Sequence, residues 1–498
     1  MDFYYRIWAM DPKEIKIELT FGIVIFVFGV AVLLSWSAIF GTVTPDGLIY
    51  CELARNLFHS GYVVEGEYHD KFLPLLPLLM ALGSAVAGGR LPVEFFGYAV
   101  NALSSAGLAV LTFWWCRRLR VSRGQAVMVA VLLLVCPMGL GQCRDVSVLP
   151  IYALLQVWWM YLLWDDRPLA AGLVGGLAVT TRFEPYLFLP VAVLLFVRRP
   201  RSLLLFATGF IFTASPWLVH NFLRYRQLVH SRYMAELFLP VIHLKDIGLD
   251  LVIDFGLMLA ATGVGLARMD RKPRMMLLAF AGTYLALHLV WWWYDARFLL
   301  PLAPAVLIAG AVGWEALADR LRARWPSLVG ELLLAAVLSA NLAVGTVRNV
   351  VAAATQPPDP YLAAARYLRE SVGPGEAVAC SNTLLVKHHT GLPVFSLLKK
   401  PGGEAAEEYV ARLCRAQGIR WLVWTNVVPE DWLSYNFLKE MKDRESRVMI
   451  DGRSGVLRYR FVRSWRKPHK FVLVYRVDAV TDGPRPPDRY TTFSSDGR

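Results

Sequence analysis

Residues 17–46 read IELTFGIVIFVFGVAVLLSWSAIFGTVTPD, and this stretch decides the class of fold. From Ile17 to Phe40 only Glu18 is charged. The run is long enough to cross a bilayer core, which takes roughly 20 apolar residues. It is too long for the apolar core of a secretory signal and has no clear small-residue cleavage site, so it reads as a retained membrane helix. Thr44-Pro45-Asp46 follows directly and sets a carboxylate at the membrane boundary.

The same texture continues along most of the chain. Of 498 residues, 56% are hydrophobic and 18% charged, and the mean hydropathy is +0.43. Ordinary soluble proteins carry roughly 25% charged residues, and a soluble chain of this length would form several domains, each with a polar coat. The polar residues here are too few for that. A cytosolic enzyme, a secreted disulfide scaffold and a disordered chain are excluded. The expected class is an α-helical polytopic membrane protein with about 11–13 membrane helices. Further apolar runs of helix length lie near 94–115, 125–141, 148–164, 169–181, 185–197, 202–220, 249–267, 275–293, 298–316 and 328–347.

The net charge of +13 is first a topology signal. Arg117, Arg118, Arg120 and Arg123, then Arg198, Arg199 and Arg201, then Arg268 to Arg274, then Arg320 to Arg324 recur at every second loop. The excess of basic residues on the inner side makes these loops cytoplasmic. The N-terminus is then inside, and the part from about Gln356 outside. Topology accounts for the basic loops, so no nucleic-acid partner is expected. Residues 41–93 become a large first outer loop. Within it, Leu48 to Ser60 has helical spacing, with Tyr50, Leu53, Ala54, Leu57 and Phe58 on one stripe, as in a helix lying on the membrane surface. A second such segment is expected at Met234 to Leu244. Leu73 to Ala87 is apolar but carries Pro74, Pro77 and Gly83. A crossing there would turn every later basic loop outward, so it reads as interfacial or re-entrant; a true span with a compensating one elsewhere is the alternative.

After the membrane domain, residues 1–350, the character changes at the linker Gln356 to Pro360. Residues 356–480 are expected to form a small α/β domain, with helices at Tyr361 to Ser371 and Glu404 to Gln417. Strands are expected at Ala377 to Cys380 and Trp421 to Trp424, and a hairpin from Val456 to Phe461 and Phe471 to Val477. The polar, Pro-rich end, 481–498, is expected to be disordered. The six cysteines form no CxxC pair. Cys380 and Cys414 allow a disulfide, although two unpaired core thiols fit better.

Charged residues gather in the outer loops: Asp46, Glu52, Arg55, Asp70, Lys71, Arg144, Asp145, Arg182, Glu184, Asp295 and Arg297 among them. The arginines weigh most, because the inside bias should strip them from this side. A cation kept there suggests an anion to hold, and at a membrane face that is the phosphate of a lipid-linked substrate, which guanidinium grips in a bidentate manner. The carboxylates among them are candidate bases or metal ligands. The plainer reading pairs each Arg with a local acid, Arg144 with Asp145 and Asp295 with Arg297, and makes Asp46 a helix cap. Trp291-Trp292-Trp293-Tyr294 reads first as an interfacial aromatic belt and second as a lining of the sugar or lipid path.

The pattern Asp46-x-x-x-Tyr50-x-x-x-Ala54-Arg55-Asn56-Leu57, then Gly61, then Lys71-Phe72-Leu73-Pro74-Leu75-Leu76-Pro77, resembles the first outer loop of the C-type (GT-C) membrane glycosyltransferases. It is most similar to the family 39-like group of aminoarabinose and protein O-mannosyltransferases. Thr181-Arg182-Phe183-Glu184-Pro185 and Arg297-Phe298-Leu299-Leu300-Pro301 resemble later pieces of the same group, over roughly residues 15–345. The resemblance implies a sugar on polyprenyl phosphate as donor and Asp46 as catalytic base. It implies Arg55 and Lys71 as cations of the donor-phosphate site and sets Arg297 at the family's Arg-aromatic-Leu-Leu-Pro motif; with Asp70, Arg144, Asp145, Arg182 and Glu184 from the outer-face charges, these are the substrate-binding candidates. The sequence departs from the family at Gly47, where many relatives have a second acid, at Leu73, where many have proline, and at Leu149, where many have an acid. The last departure puts a family-style metal site in doubt, although Asp145 lies one turn away; a divalent metal stays open as a cofactor.

The reading is therefore an integral membrane glycosyltransferase of the cell envelope, acting among membrane lipids on the outer face of a bacterial inner membrane. Its acceptor is a lipid, a glycan or a protein. A flippase for a lipid-linked sugar and a non-catalytic scaffold are the rivals. A flippase would more often show midplane charges, and within the expected spans His288 is the candidate mid-helix titratable group.

Overall fold

The computed structural model describes residues 12–41, 43–64, 67–68, 72–227, 244–289, 295–322, 336, 340, 347, 360–397, 406–425, 444–450, 453–467 and 470–482. By contacts the chain divides into two units, Met1–Ala354 and Thr355–Arg498.

The first unit is a multi-pass membrane bundle. Its opening helix, α1, is Pro12–Phe40. The 41–93 segment then holds α2, Pro45–Asn56, a two-residue hairpin of β1 (Val63–Val64) and β2 (Glu67–Tyr68), and α3, Leu75–Val86. The bundle continues through α4 (Val93–Arg118), α5 (Arg123–Val135), α6 (Pro137–Cys143), α7 (Leu149–Trp164), α8 (Pro168–Val179), α9 (Glu184–Phe196) and α10 (Pro200–Tyr225). Next come α11 (Leu244–Phe255), α12 (Leu257–Arg268), α13 (Arg271–Leu289), a 3₁₀ segment Ala296–Leu302, and α14 (Ala303–Arg322). Among the described residues, Lys13–Phe40, Val93–Arg118, Pro200–Tyr225 and Ala296–Arg320 are long and apolar enough to cross a membrane. Leu75–Val86 is twelve residues long, about 18 Å at 1.5 Å per residue, so it is too short to span a core of about 30 Å.

Three expected spans are not single straight helices. The 125–141 run breaks at Cys136, whose extended backbone (φ −62°, ψ 151°) is what the following Pro137 imposes. The 249–267 run breaks at Gly256, whose φ of 46° and ψ of −121° suit a residue without Cβ. The 298–316 run begins as the 3₁₀ turn around Pro301. The 328–347 run lies almost wholly outside the described residues, as do Met234 to His243 and Trp291 to Tyr294.

Contacts join the loops by the expected parity. At one end, Asp165 is buried between Arg118 (2.6 Å) and Arg167 (2.7 Å), and Arg118 lies over the Trp164 ring at 4.2 Å. Arg199 pairs with Asp166 at 2.5 Å, and Lys272 Nζ donates to the Trp164 carbonyl at 2.8 Å. Basic loops that the sequence assigns to one side thus meet through side chains. At the other end Thr44 meets Asp145, Asp46 meets Arg297, and Leu75 N donates to the Thr180 carbonyl at 3.1 Å.

Small residues let helices in this bundle touch backbone to backbone, a common membrane device. A Cβ on Gly265 of α12 would collide with the Ala309 carbonyl of α14, and one on Gly313 of α14 with the Ala261 carbonyl. Gly313→Val should therefore force the pair apart and lower the melting temperature in detergent, by the equivalent of about 2 kcal/mol or more. Gly282→Ala on α13, where nothing lies within 4 Å, should not. Differential scanning fluorimetry of the three proteins checks this.

The second unit is α/β. Its elements are α15 (Pro360–Ser371), β3 (Ala377–Cys380), α16 (Thr383–Thr390), β4 (Val394–Ser396), α17 (Ala406–Gln417), β5 (Ile419–Thr425), β6 (Arg444–Ile450), β7 (Arg453–Lys467) and β8 (Lys470–Asp482). Among the described residues the strand order is β4-β3-β5-β8-β7-β6, parallel through β4, β3 and β5 and antiparallel from β5 to β6. The expected helices and strands are present. The short α16 and β4 and the edge strand β6 had not been expected. Cys380 and Cys414 are both buried, with no disulfide between them. β8 extends to Asp482, inside the expected disordered tail; residues 483–498 lie outside the described residues.

Candidate active site

The site is built on the stop of α1. Trp36 Nε1 donates to the Leu140 carbonyl at 3.1 Å and Ser37 Oγ to the Cys143 carbonyl at 2.6 Å, which ties α1 to α6. Asn101 of α4 donates Nδ2 to the carbonyls of Gln142 (3.2 Å) and Asp145 (2.6 Å). The 142–147 loop is thereby strapped to α1 and α4. Arg144 does not pair with Asp145: its Nε donates to the Phe40 carbonyl at 3.3 Å, on the last residue of α1, where a cation suits the helix dipole.

Asp145 turns the other way. It accepts from Thr44 N at 2.9 Å, Thr44 Oγ1 at 2.5 Å and Val146 N at 2.8 Å. Thr44, not Asp46, is the N-cap of α2, and its Oγ1 accepts from Gly47 N at 3.3 Å. Pro45 fits the first helical position because its missing N–H has no partner to lose there, and Asp46 follows in the first turn. Burial pushes the Asp145 carboxyl up to about 6, against the Thr44 hydrogen bonds, with the Asp46 charge adding to the rise and Arg297 opposing it.

Arg297 closes the site from the far end of the unit. Its Nη2 lies 3.2 Å from Asp46 Oδ2, across 251 residues of sequence, and its Nε lies 3.4 Å from Asp295 Oδ2. Asp295 also accepts from Arg297 N at 3.0 Å and so caps the 3₁₀ turn. The local Asp295–Arg297 pair thus coexists with the long-range one. Beside it, Arg182 binds Glu184, Nη2 to Oε1 at 2.5 Å, with the Glu184 side chain 1% exposed. Both cations lie over the Phe298 ring, Arg182 at 5.4 Å and Arg297 at 5.3 Å from its centroid, contacts favoured by the ring's negative faces. Tyr284 donates its hydroxyl to the Phe298 carbonyl at 2.7 Å, and His288 stacks on the ring at 5.2 Å.

Asp46, Asp145, Arg182, Glu184 and Arg297 are therefore brought together. Arg55 is not part of this group. It pairs with Glu94 in the first turn of α4 and, at 3.7 Å, with Glu52. Asp70 and Lys71 lie outside the described residues. The reading of residues had assigned nothing to Thr44, Glu94 or Phe298. Glu94 was legible as an acid in a helix's first turn, and Thr44 as a hydroxyl before a proline-led helix. A divalent metal does not fit the described donors. Three donors occupy the two Asp145 oxygens, Asp46 holds a guanidinium, and among the described residues no group of three His, Cys, Asp or Glu can hold an ion.

By sequence, no family model and no curated protein matches the chain. Among solved structures it is similar to ArnT from Cupriavidus metallidurans bound to undecaprenyl phosphate, with a TM-score of 0.59 and 13% identity over 91% of this chain and 97% of that one. The same protein in the apo state gives 0.56 and 15%, again over 91% of this chain and 97% of that one. The Archaeoglobus fulgidus oligosaccharyltransferase, in complex with zinc and sulfate, gives 0.50 and 15% over 81% of this chain and 68% of that one. At such identities the likeness concerns fold, and the fold of this multi-pass membrane protein is GT-C.

Proposed function

We propose that the protein is a membrane glycosyltransferase that moves a sugar from a polyprenyl-phosphate donor to a hydroxyl acceptor on a lipid, glycan or protein. Transfer takes place on the outer face of a bacterial inner membrane, with the N-terminus in the cytoplasm and Thr355–Arg498 outside. The observation that carries this reading is the Asp46–Arg297 pair, a carboxylate and a guanidinium drawn from opposite ends of the membrane unit to one end of a GT-C bundle. A structural neighbour that binds undecaprenyl phosphate supports the donor class.

The residues fit a single displacement. The acceptor oxygen attacks the anomeric carbon and gives its proton to Asp46. The bond from that carbon to the phosphate oxygen breaks, and its electron pair stays on the polyprenyl phosphate. In this reading the guanidinium groups of Arg297 and Arg182 donate hydrogen bonds to the phosphate oxygens and so stabilise that developing charge. Attack opposite the leaving group inverts the anomeric centre.

The test is transfer from labelled polyprenyl-phosphate sugars in membranes containing the protein. A labelled acceptor product is the expected result. Movement of the labelled donor between leaflets with no product, across a panel of lipid, glycan and peptide acceptors, would replace this reading with a flippase.

A further inference from the structure

Asp145 and Asp46 belong to different loops, yet both act on the start of α2. One oxygen of Asp145 takes the Thr44 hydroxyl hydrogen and the other takes the Thr44 and Val146 N–H groups. With its hydrogen committed to Asp145, the Thr44 oxygen keeps a lone pair toward Gly47 N. That bond caps the helix turn that carries Asp46. Gly47 supplies a second observation. A Cβ there would stand 2.7 Å from Asp145 Oδ1, 3.1 Å from Val43 Cγ1 and 3.2 Å from the Val146 carbonyl oxygen. The absence of a side chain at 47, where many relatives of the resembled family carry an acid, is what lets the Asp145 carboxylate reach Thr44.

We infer that Asp145 is a positioning residue: through the Thr44 hydroxyl it fixes the first turn of α2, and so the direction in which Asp46 meets Arg297 and the acceptor. The consequence for transfer rests on the glycosyltransferase reading; the positioning itself does not. In this assignment the second-loop acid serves as a hydrogen-bond brace. Groups acting on Asp145 are Thr44 and Asp46 from the α2 region and Arg297 from the 3₁₀ turn, and the Asp145 charge in turn acts on Cys51 of α2 and Tyr98 of α4.

Two readouts on the full-length protein in detergent test it. Hydrogen exchange of the peptide covering 44–56 should quicken about 10-fold in Asp145→Asn, Thr44→Val and Gly47→Ala, as a lost cap loosens the first turn. It should stay unchanged in Asp46→Asn. In the transfer assay, the first three variants should lose about 10- to 100-fold in kcat with donor KM unchanged. Thr44→Ser should stay within about 2-fold of wild type, because it restores the hydroxyl. Thr44→Val combined with Asp145→Asn should be no worse than the poorer single variant, since both break one linkage. Wild-type kcat should fall as pH drops through about 6, where Asp145 gains a proton and one oxygen turns from acceptor to donor; Asp145→Asn should lack that step. Unchanged exchange in Asp145→Asn and Thr44→Val, or additive losses in the double variant, would overturn the inference. Quickened exchange alongside a wild type that transfers no sugar would support the positioning and overturn the transferase reading instead.

Discussion

Asp46→Asn should abolish sugar transfer, by about 10³-fold or more, while the protein stays folded and present at wild-type levels. The substitution is nearly isosteric. It keeps the first-turn place on α2 and leaves the Thr44 cap, the Asp145 brace and the Gly47 contact untouched. It removes the charge and the ability to accept the acceptor's proton. Asp46 is suited to that task because its side chain is 45% exposed while its Oδ2 rests on Arg297, so an incoming hydroxyl has access to it. Matched amounts of wild-type and variant membranes, labelled donor and a thermal-unfolding control make the measurement. Full transfer by the variant would take Asp46 out of the mechanism and turn attention to Asp145 and Asp70.

Much of this architecture was legible in the sequence, for a local reason. Membrane helices satisfy their own backbone, so runs of apolar residues mark them without any knowledge of partners. Alternating basic loops then sort the ends, and the ion pairs of Asp165 with Arg118 and Arg167 join loops that parity had already placed on one side. What a run cannot reveal is where a helix bends. The break at Cys136 was readable from Pro137, whereas the break at Gly256 depends on a backbone conformation that a glycine permits but does not demand.

The candidate site divides along the same line. The Arg182–Glu184 pair, two residues apart, was visible as a local feature. The Asp46–Arg297 pair was not, since nothing in composition or spacing couples positions 251 apart; only the family resemblance pointed to both. Arg55 fits the resembled pattern, yet it lies against Glu94 of α4. The hydrophobic pattern sets which helices pack, and packing then sets which charges meet. That second step is absent from a linear reading.

Arg297 carries the other large expected effect. Arg297→Gln should lower kcat about 10²- to 10³-fold, with a smaller rise in donor KM, because negative charge on the leaving phosphate is greatest in the transition state. Removing this cation also strips Asp46 and Asp295 of their shared partner, so two neighbouring carboxylates are left facing each other. Arg297→Lys separates charge from geometry. A lysine keeps the positive charge but is a point donor on a flexible stem. It cannot span Asp46 and Asp295 while lying over Phe298, as the guanidinium does at 5.3 Å from the ring. Its kcat should therefore sit between wild type and the Gln variant, about 10-fold below wild type. If Lys equals wild type, the contribution of Arg297 is charge alone. If Lys is as poor as Gln, the planar fork is the essential property, and the guanidinium works by holding Asp46 in line as much as by facing the phosphate. Transfer at saturating and limiting donor concentrations, read for both variants, decides between these two roles.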